Sequence, residues 1–250
     1  MDTLSPDDIE QPAFVIGESS ERLDEPWQSY RRARLIHVRA GILTVRTGSA
    51  RWVMPPGHAV WVAANELHCL TAAGAVVLNS LYVDAHALPA PPLQSGAIKV
   101  DRLVEALLIA AAEMPHTRPL DEAAARLVQV LLDRLPALPV VSLGLNWPRD
   151  PRIARIADAL NANPAEPGVL EELAAAAGVT GRTAARLFVK ETGQTFGQWR
   201  QQLRLLVALE RLGLGTSVSQ VALEIGYSDV SSFIAVFRDA FGDTPARYFR

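Results

Sequence analysis

The stretch VSQVALEIGYSDVSSFIAVFRDAFGDTPARY at residues 218–248 decides the fold of the last third of the chain. From Val218 to Ile225 the apolar residues recur at i, i+3, i+4 and i+7, which is the spacing of one helix face. Gly226 interrupts that pattern, and a more aromatic apolar pattern begins a few residues later. Glycine suits the position after a helix end because its backbone adopts a positive φ without steric cost. The stretch therefore predicts two short helices that meet at a steep angle.

A second stretch, LEELAAAAGVTGRTAARLFVKETGQTFGQW at residues 170–199, repeats this pattern. When the two stretches are aligned with one inserted residue, glycines, aromatic residues and a threonine fall at equivalent positions. The equivalent pairs are Gly178 and Gly226, Phe188 and Phe237, Gly193 and Gly242, Thr195 and Thr244, and Trp199 and Tyr248. The chain therefore contains an internal duplication of a helix-turn-helix unit, at about 169–192 and about 217–241.

The helix starts within each unit are marked by residues that cap helices. Thr180 can cap the second helix of the first unit, and Ser228 or Asp229 can do the same in the second unit. Ser217 and Gln220 have the spacing of a capping box at the start of the second unit. These caps agree with the helix boundaries that the apolar spacing predicts.

Two segments carry a resemblance to a known family: RLFVKETGQTFGQWRQQLRL (186–205) and ALEIGYSDVSSFIAVFRDAFGDTPARYFR (222–250). In these motifs and in their spacing, the chain resembles the AraC-type transcriptional regulators over about residues 150–250. The resemblance implies two helix-turn-helix units joined by one rigid helix, FGQWRQQLRLLVALERL at 196–212. It also implies that the two recognition helices enter successive major-groove segments about 34 Å apart on one face of the DNA.

The residues expected to contact DNA in the first unit lie on the exposed face of its second helix and on the connecting helix. An arginine at 182 or 186 can bond the O6/N7 edge of guanine, which is worth about 1–3 kcal/mol of discrimination, whereas phosphate contacts fix position and not sequence. The base-contact candidates are Thr180, Arg182, Thr183 and Arg186, and the phosphate candidates are Lys190, Arg200 and Arg204. The alternative for some arginines is an ion pair with Glu171, Glu172 or Glu191.

The second unit has a less basic recognition helix than family members often have. Its candidates for DNA contact are Ser228, Val230, Ser231, Ser232, Ala235 and Arg238. Only Arg238 is basic, and it lies late in the helix. We therefore expect base readout to depend mainly on the first unit, while the second contributes serine contacts and apolar contacts to a thymine methyl group.

Residues 35–83 consist of short segments rich in Val, Leu, Trp and Tyr that are separated by glycines, which is typical of an antiparallel sandwich or small barrel. The segment GHAVWVAANELH (57–68) resembles the cupin sensor domain found in many AraC-type regulators, over about residues 20–95. We therefore expect an α+β chain with an all-α second half. Its expected parts are a cupin-like sensor barrel at 1–95, a helical dimerisation segment at 96–140, a linker at 141–150 and a DNA-binding domain at 151–250.

The cupin resemblance also bears on a metal site. Relatives of this subtype commonly begin the barrel with a His-x-His pair, where this chain has Gln28 and Tyr30, while His68 matches a later histidine. A cupin metal site needs two or three imidazoles and a carboxylate. The remaining candidates, which show no paired ligand spacing, are His37, His58, His86 and Glu66. No metal or other cofactor is therefore expected.

A barrel without a metal can hold a small organic effector among its large side chains. The candidate ligand-binding residues are Tyr30, Arg34, Trp52, Trp61, His68 and Tyr82. The alternative is that these side chains only fill the core, as side chains in small barrels usually do.

Two helical patterns follow the strands, near 98–114 and 120–135, and each has one apolar face. The predicted faces are Leu103, Ala106, Leu107 and Ala110 in the first helix, and Leu127, Val130, Leu131 and Leu135 in the second. These faces exceed what a small barrel needs as cover, so we interpret the segment as a dimerisation layer. Packing within one chain is the alternative.

Composition narrows the class of protein. The chain has 250 residues, of which 49% are hydrophobic and 20% charged, so it can bury a core. Residues 149–250 carry 12 Lys and Arg against 11 Asp and Glu, a net charge of +1, so DNA contact must depend on where the arginines lie. No apolar run suggests a membrane span or a signal peptide. Cys69 is the single cysteine, which excludes an internal disulfide and suits a reducing cytoplasm.

We therefore expect a cytoplasmic, sequence-specific, DNA-binding transcriptional regulator that is a homodimer and not an enzyme. Its candidate partners are double-stranded promoter DNA, a small-molecule effector and RNA polymerase. Two alternatives stay open: a cupin-type metalloenzyme with a helical appendage, and a DNA-binding module whose barrel is purely structural.

Overall fold

The computed structural model of the chain describes residues 5–84, 86–88, 94–116 and 118–249. The chain divides into two compact units. The first comprises Met1–Thr47 and Met54–Leu143, and the second comprises Gly48–Val53 and Gly144–Arg250. Two β-sheets dominate the N-terminal region and helices dominate the C-terminal region, so the α+β prediction is confirmed at this level.

The described strands are short and antiparallel. In chain order they are β1 Ala13–Ser20, β2 Leu23–Gln28, β3 Ala33–Ala40, β4 Leu43–Thr47, β5 Ala50–Met54, β6 His58–Val62, β7 His68–Ala72, β8 Val76–Val83, β9 Gly96–Lys99 and β10 Gly144–Asn146. One sheet of the first unit has the order β1-β8-β3-β6-β9. In the second sheet, β7 lies between β2 and β4. Among the described strands no closed barrel is found, so the predicted barrel is not confirmed.

Alternation along β3 separates two environments, because successive side chains of a strand point to opposite faces of the sheet. Leu35 pairs across the strands with Leu81 and Trp61, and all three belong to one buried apolar cluster. Helices α1 (Arg102–Ala112) and α2 (Glu122–Arg134) cover that cluster. The neighbouring Arg34 therefore lies on the other face of the sheet.

The predicted apolar faces of the two helices were partly wrong. The buried residues are Val104, Leu108 and Ala111 in α1, and Val128, Leu131 and Leu132 in α2. Leu103 is 49% exposed and Val130 is 45% exposed, and Ala106 is also exposed. Both helices carry apolar residues at more positions than one face needs, so a register displaced by one residue, which rotates the face by about 100°, fits the sequence almost equally well.

The second unit is almost entirely helical. Its helices are α3 Pro151–Ala162, α4 Leu170–Ala176, α5 Gly181–Thr192, α6 Phe196–Gly213, α7 Val218–Glu224, α8 Val230–Phe241 and α9 Pro245–Tyr248. Helices α4 and α5 form the first helix-turn-helix unit, and α7 and α8 form the second. Within the ranges that the structure describes, no helix combines the length and hydropathy that a membrane-spanning helix needs.

The connecting helix α6 is fixed near both of its ends. Near its start, the buried Trp199 donates its indole N–H to the backbone oxygen of Asn146 at 2.8 Å. Near its end, the Arg51 guanidinium donates to the Glu210 carboxylate at 2.6 Å and also to the Asn161 side chain. These contacts lie within the second unit, in which the Gly48–Val53 segment is included.

Helix caps occur where the sequence predicts them. Thr180 accepts the backbone N–H of the third residue after it at 3.2 Å, and Asp229 does the same at 2.8 Å. Ser217 caps α7 in the same way, but the Gln220 side chain donates to Glu224 and not back to the cap. The three caps are confirmed, and the capping box at Ser217 is only half formed.

Gly178 and Gly226, which follow the first helices of the two units, have φ values of 77° and 87°. The two sites differ in the space around them. A Cβ atom at Gly226 would lie 3.0 Å from the Ala165 Cα and 2.9 Å from the Arg204 Nη2, whereas no described atom lies within 4 Å of one at Gly178.

We predict that Gly178→Ala lowers the free energy of unfolding by about 1–2 kcal/mol, the cost of a left-handed backbone at an L-residue. Gly226→Ala should cost more, because the added methyl group also crowds the backbone at Ala165. Denaturant unfolding of the two variants beside the wild type measures the difference. Equal losses would contradict the crowding at Gly226.

His37 is a buried histidine without a visible partner. It is 0% exposed, and within the described part of the chain neither ring nitrogen has a hydrogen-bond partner. Its cross-strand neighbour Asn79 is also buried, and the Asn79 Nδ2 is likewise unpartnered there. Burial lowers the pKa of His37 to about 4. The folded protein therefore holds this ring in its neutral form.

Since the pKa of His37 is lower in the folded chain than in the unfolded chain, acid favours unfolding. The neutral ring has its full stability above pH 6.5 and loses it as the pH falls towards 4, by roughly 3 kcal/mol at most. We predict that His37→Leu raises Tm, and that the gap to wild type widens from pH 7 to pH 5. The exposed His86→Leu is the matched control. Parallel Tm curves for wild type and His37→Leu would contradict the prediction.

Candidate DNA-binding surface and ligand site

Helix α5 carries a row of cations. Arg182, Arg186 and Lys190 are four residues apart, so they lie on one helix face, and all three are exposed. None of the ion pairs between described residues includes any of them. This row leaves three positive charges available to an external anion.

Two of the glutamates named as possible ion-pair partners of these cations accept hydrogen bonds from backbone N–H groups. Glu191 accepts the backbone N–H groups of Arg149 and Asp150 at 2.8 and 2.9 Å, and Glu172 accepts that of Val169 at 3.1 Å. The structure therefore does not bring these two acids to the cations of α5. Thr180 is exposed as the cap of α5, and Thr183 is half-buried beside it.

Helix α8 presents a polar surface with little positive charge. Its exposed candidates are Ser228, Ser231, Ser232, Ala235 and Arg238, and Val230 is half-buried. The Ser232 hydroxyl donates to the Asp229 carboxylate at 2.8 Å, and this bond helps to lower the pKa of Asp229. Sequence reasoning treated Asp229 only as a cap. An ionised carboxylate at the start of α8 also disfavours phosphate, and can accept from the amino group of cytosine.

Arg200 and Arg204 on α6 are half-buried and bond within the second unit. Arg200 donates to the Gly168 oxygen at 2.9 Å and lies over the Phe196 ring, and Arg204 donates to the Pro164 oxygen at 2.9 Å. Burial lowers the pKa of Arg200. Each guanidinium has five N–H donors, so these bonds leave others for phosphate, and the predicted phosphate contacts stay predictions.

In the first unit, Arg34 is the centre of a buried polar cluster. It is 1% exposed, and its guanidinium lies 3.1 Å from the Glu25 carboxylate and 3.9 Å from that of Glu18. It also donates to the Ser80 hydroxyl at 3.0 Å and lies 5.2 Å from the centre of the Tyr82 ring. A buried guanidinium needs such acids, because an unpaired charge in the core costs several kcal/mol. Sequence reasoning missed both glutamates, although a strand arginine between apolar residues signals a need for them.

Tyr30 and His68 complete the cluster. The Tyr30 ring lies 6.0 Å from the His68 ring and 5.5 Å, edge on, from that of Tyr82. The Tyr30 hydroxyl donates to Gln28 at 2.7 Å, and the Gln28 amide donates in turn to Glu25. The structure therefore brings together four of the six ligand-binding candidates: Tyr30, Arg34, His68 and Tyr82.

The other two candidates lie elsewhere. Trp61 faces the α1 and α2 side of its sheet, because it pairs with Leu35 and not with Arg34. Trp52 belongs to the second unit, where it pairs with Gly144, and its ring occupies the space that a Cβ atom there would need. Neither residue takes part in the Arg34 cluster.

Metal-ligating residues do not gather in the described part of the chain, where no group of three or more His, Cys, Asp or Glu could hold a metal ion. Cys69 is buried, and burial raises the pKa of its thiol. A buried thiol with a raised pKa is a poor nucleophile.

The known proteins that are similar in sequence to this chain are helix-turn-helix transcriptional regulators. A family described as a helix-turn-helix domain matches residues 173–250. The chain is 34% identical to the HTH-type transcriptional regulator NimR of Escherichia coli, over 94% of this chain and 86% of that protein. It is 30% identical to the HTH-type transcriptional regulator RipA of Corynebacterium glutamicum, over 86% of this chain but only 61% of that protein. Among solved structures, ToxT of Vibrio cholerae aligns over 96% of this chain and 98% of its own, with 10% identity and a TM-score of 0.41, which is too low to bear on function.

Proposed function

Because the chain belongs to the AraC-type family of transcriptional regulators, it is a DNA-binding regulator and not an enzyme, and we propose that it reads promoter DNA mainly through α5. The observation that carries this proposal is the exposed row of Arg182, Arg186 and Lys190, which has no ion pair among the described residues. A helix with such a row fits the major groove, where arginine recognises guanine and lysine neutralises phosphate.

The second unit makes weaker contacts in this proposal. The serines of α8 contact base edges, Val230 and Ala235 contact a thymine methyl group, and Arg238 contacts the DNA backbone. Arg200 and Arg204 hold α6 in place and offer their remaining donors to phosphate. RNA polymerase is a further partner in this proposal, and the protein acts in the cytoplasm, where promoter DNA is found.

The first unit is the sensor in this proposal. We infer that its two sheets are a cupin-like sandwich and that the cluster around Arg34 binds a small-molecule effector. The four converging candidates, and the half-exposed Glu25, Gln28 and Tyr30 that contact the buried part of the cluster or one another, support this inference. An effector changes promoter occupancy only if it binds one conformation of the chain better than another. A purely structural first unit is the rival, and it would bind no ligand.

We predict that Arg186→Ala weakens specific DNA binding by about 10–100-fold and relaxes the preference at one base pair, because one base pair loses its bidentate contact. Lys190→Ala is the matched variant one helical turn further on. It should weaken binding to all sequences alike and reduce the salt dependence by about one phosphate contact. Binding to an operator and to scrambled DNA over a range of salt concentrations measures both effects.

The control is Arg22→Ala, because Arg22 is an exposed arginine of the first unit outside α1 and α2. It should leave DNA binding unchanged. An equal loss on operator and scrambled DNA for Arg186→Ala would assign Arg186 to phosphate. Unchanged binding in both α5 variants would contradict the proposed reading surface.

We also propose that the chain forms a homodimer through the exposed apolar side chains of α1 and α2. Leu103 and Val130 are about half exposed, whereas the next residue of each helix, Val104 or Leu131, is buried. A contiguous patch of exposed apolar side chains marks a subunit contact, and in this proposal Leu103 and Val130 belong to one such patch.

We predict that the double variant Leu103→Asp, Val130→Asp sediments as a monomer under conditions where the wild-type chain is a dimer, because buried carboxylates would lose their hydration. Leu67→Asp is the control, since Leu67 is 53% exposed and lies outside both helices. A monomeric wild type, or an equal loss of dimer in the control, would contradict this interface.

A further inference from the structure

The protonation state of His68 follows from its surroundings. His68 is 1% exposed, and its Nδ1 lies 2.9 Å from the backbone oxygen of Glu66. A carbonyl oxygen only accepts hydrogen bonds, so Nδ1 must carry the proton. Burial lowers the pKa of His68, so the ring is neutral. The second nitrogen, Nε2, therefore holds a lone pair.

That lone pair lacks a donor. Within the described part of the chain, the buried Nε2 of His68 has no hydrogen-bond partner. Buried polar atoms almost always have one. His68 lies beside Tyr30 in the Arg34 cluster, so the lone pair is available to a molecule that enters this cluster.

The charge of the cluster excludes one class of ligand. One guanidinium, Arg34, faces two carboxylates, Glu18 and Glu25, which gives a net charge of −1 when both are ionised. Burial raises the pKa of Glu18, and if Glu18 is protonated the net charge is zero. In neither state does the cluster have the positive charge that a carboxylate ligand needs.

Half-exposed polar side chains lie close to His68. Gln28 is the cross-strand partner of His68 and bonds both Tyr30 and Glu25. All three of these side chains are half-exposed, whereas Arg34 and His68 beneath them are buried. If Gln28 rotates away, Glu25 loses a donor, and a ligand can replace that donor.

We propose that this cluster binds a neutral or cationic small molecule with a planar group that carries N–H donors. One N–H group bonds the His68 Nε2, and another replaces the Gln28 amide on Glu25. This proposal rests on the proposed effector site and specifies the class of compound that it takes. Carboxylates are excluded because they bring acceptors to acceptors.

Three probes of nearly the same shape test this class on the full-length protein: benzamide, benzamidinium and benzoate. Calorimetry or ligand-observed NMR should detect benzamide and benzamidinium, with benzoate at least ten-fold weaker. His68→Phe should weaken the binding of both nitrogen compounds at least ten-fold, and the exposed His86→Phe should leave it unchanged. Glu25→Gln should weaken benzamidinium more than benzamide, and this variant tests the proposal even if His68→Phe does not fold.

Three results would overturn the proposal: benzoate binding as tightly as benzamide, no binding of any probe, or tight Zn²⁺ binding that depends on His68. DNA binding is measured on the same preparations. If Arg186→Ala and Lys190→Ala bind DNA as the wild type does, the proposed reading surface is contradicted. If the wild type binds DNA but none of the probes, only the proposed ligand class is overturned.

Discussion

The fixed position of α6 is the constraint on which the DNA-binding unit depends. This helix has 18 residues, so it is about 27 Å long. Trp199 is held near its start and Glu210 near its end, by bonds to Asn146 and Arg51. Both helix-turn-helix units pack against this helix, through α5 and α7, so its fixed position sets their separation. In the proposed DNA complex, this fixed separation would let the arginines of α5 and the serines of α8 face the same side of the DNA.

The arginines of the second unit fall into two groups that differ in solvent exposure. Arg182 and Arg186 extend into solvent from α5, whereas Arg200 and Arg204 on α6 bond backbone oxygens in the protein. Composition cannot distinguish them, since all four are arginines in amphipathic helices. Helical spacing can separate them, because Arg182 and Arg186 lie opposite the buried face of α5, while Arg200 and Arg204 on α6 contact the loop before α4.

The sequence predicted the structure best at positions where the backbone accepts few residue types. It predicted least where several rotations of a helix bury apolar residues equally well. The glycines at 178 and 226 and the caps at Thr180 and Asp229 could be predicted, because positive φ and helix starts each accept few residue types. The buried faces of α1 and α2 could not, because apolar residues surround much of each helix. Arg34 and Tyr82 could be named as candidates from their residue types, but Glu25 could not be identified as a partner of Arg34, since that contact joins different sheets.

The Arg34 cluster is hard to explain by stability alone. In a buried ion pair, the attraction between the charges offsets only part of the hydration free energy that they lose. Apolar side chains of the same volume often stabilise a fold more. The unpartnered Nε2 of His68 adds a further cost, since a buried acceptor without a donor lowers the free energy of unfolding by about 1–3 kcal/mol. A core that only had to hold two sheets together would place aliphatic side chains at these positions. Half-exposed Tyr30, Gln28 and Glu25 beside a buried histidine and arginine therefore favour the proposed effector site, in which an entering molecule would supply the donor that His68 lacks.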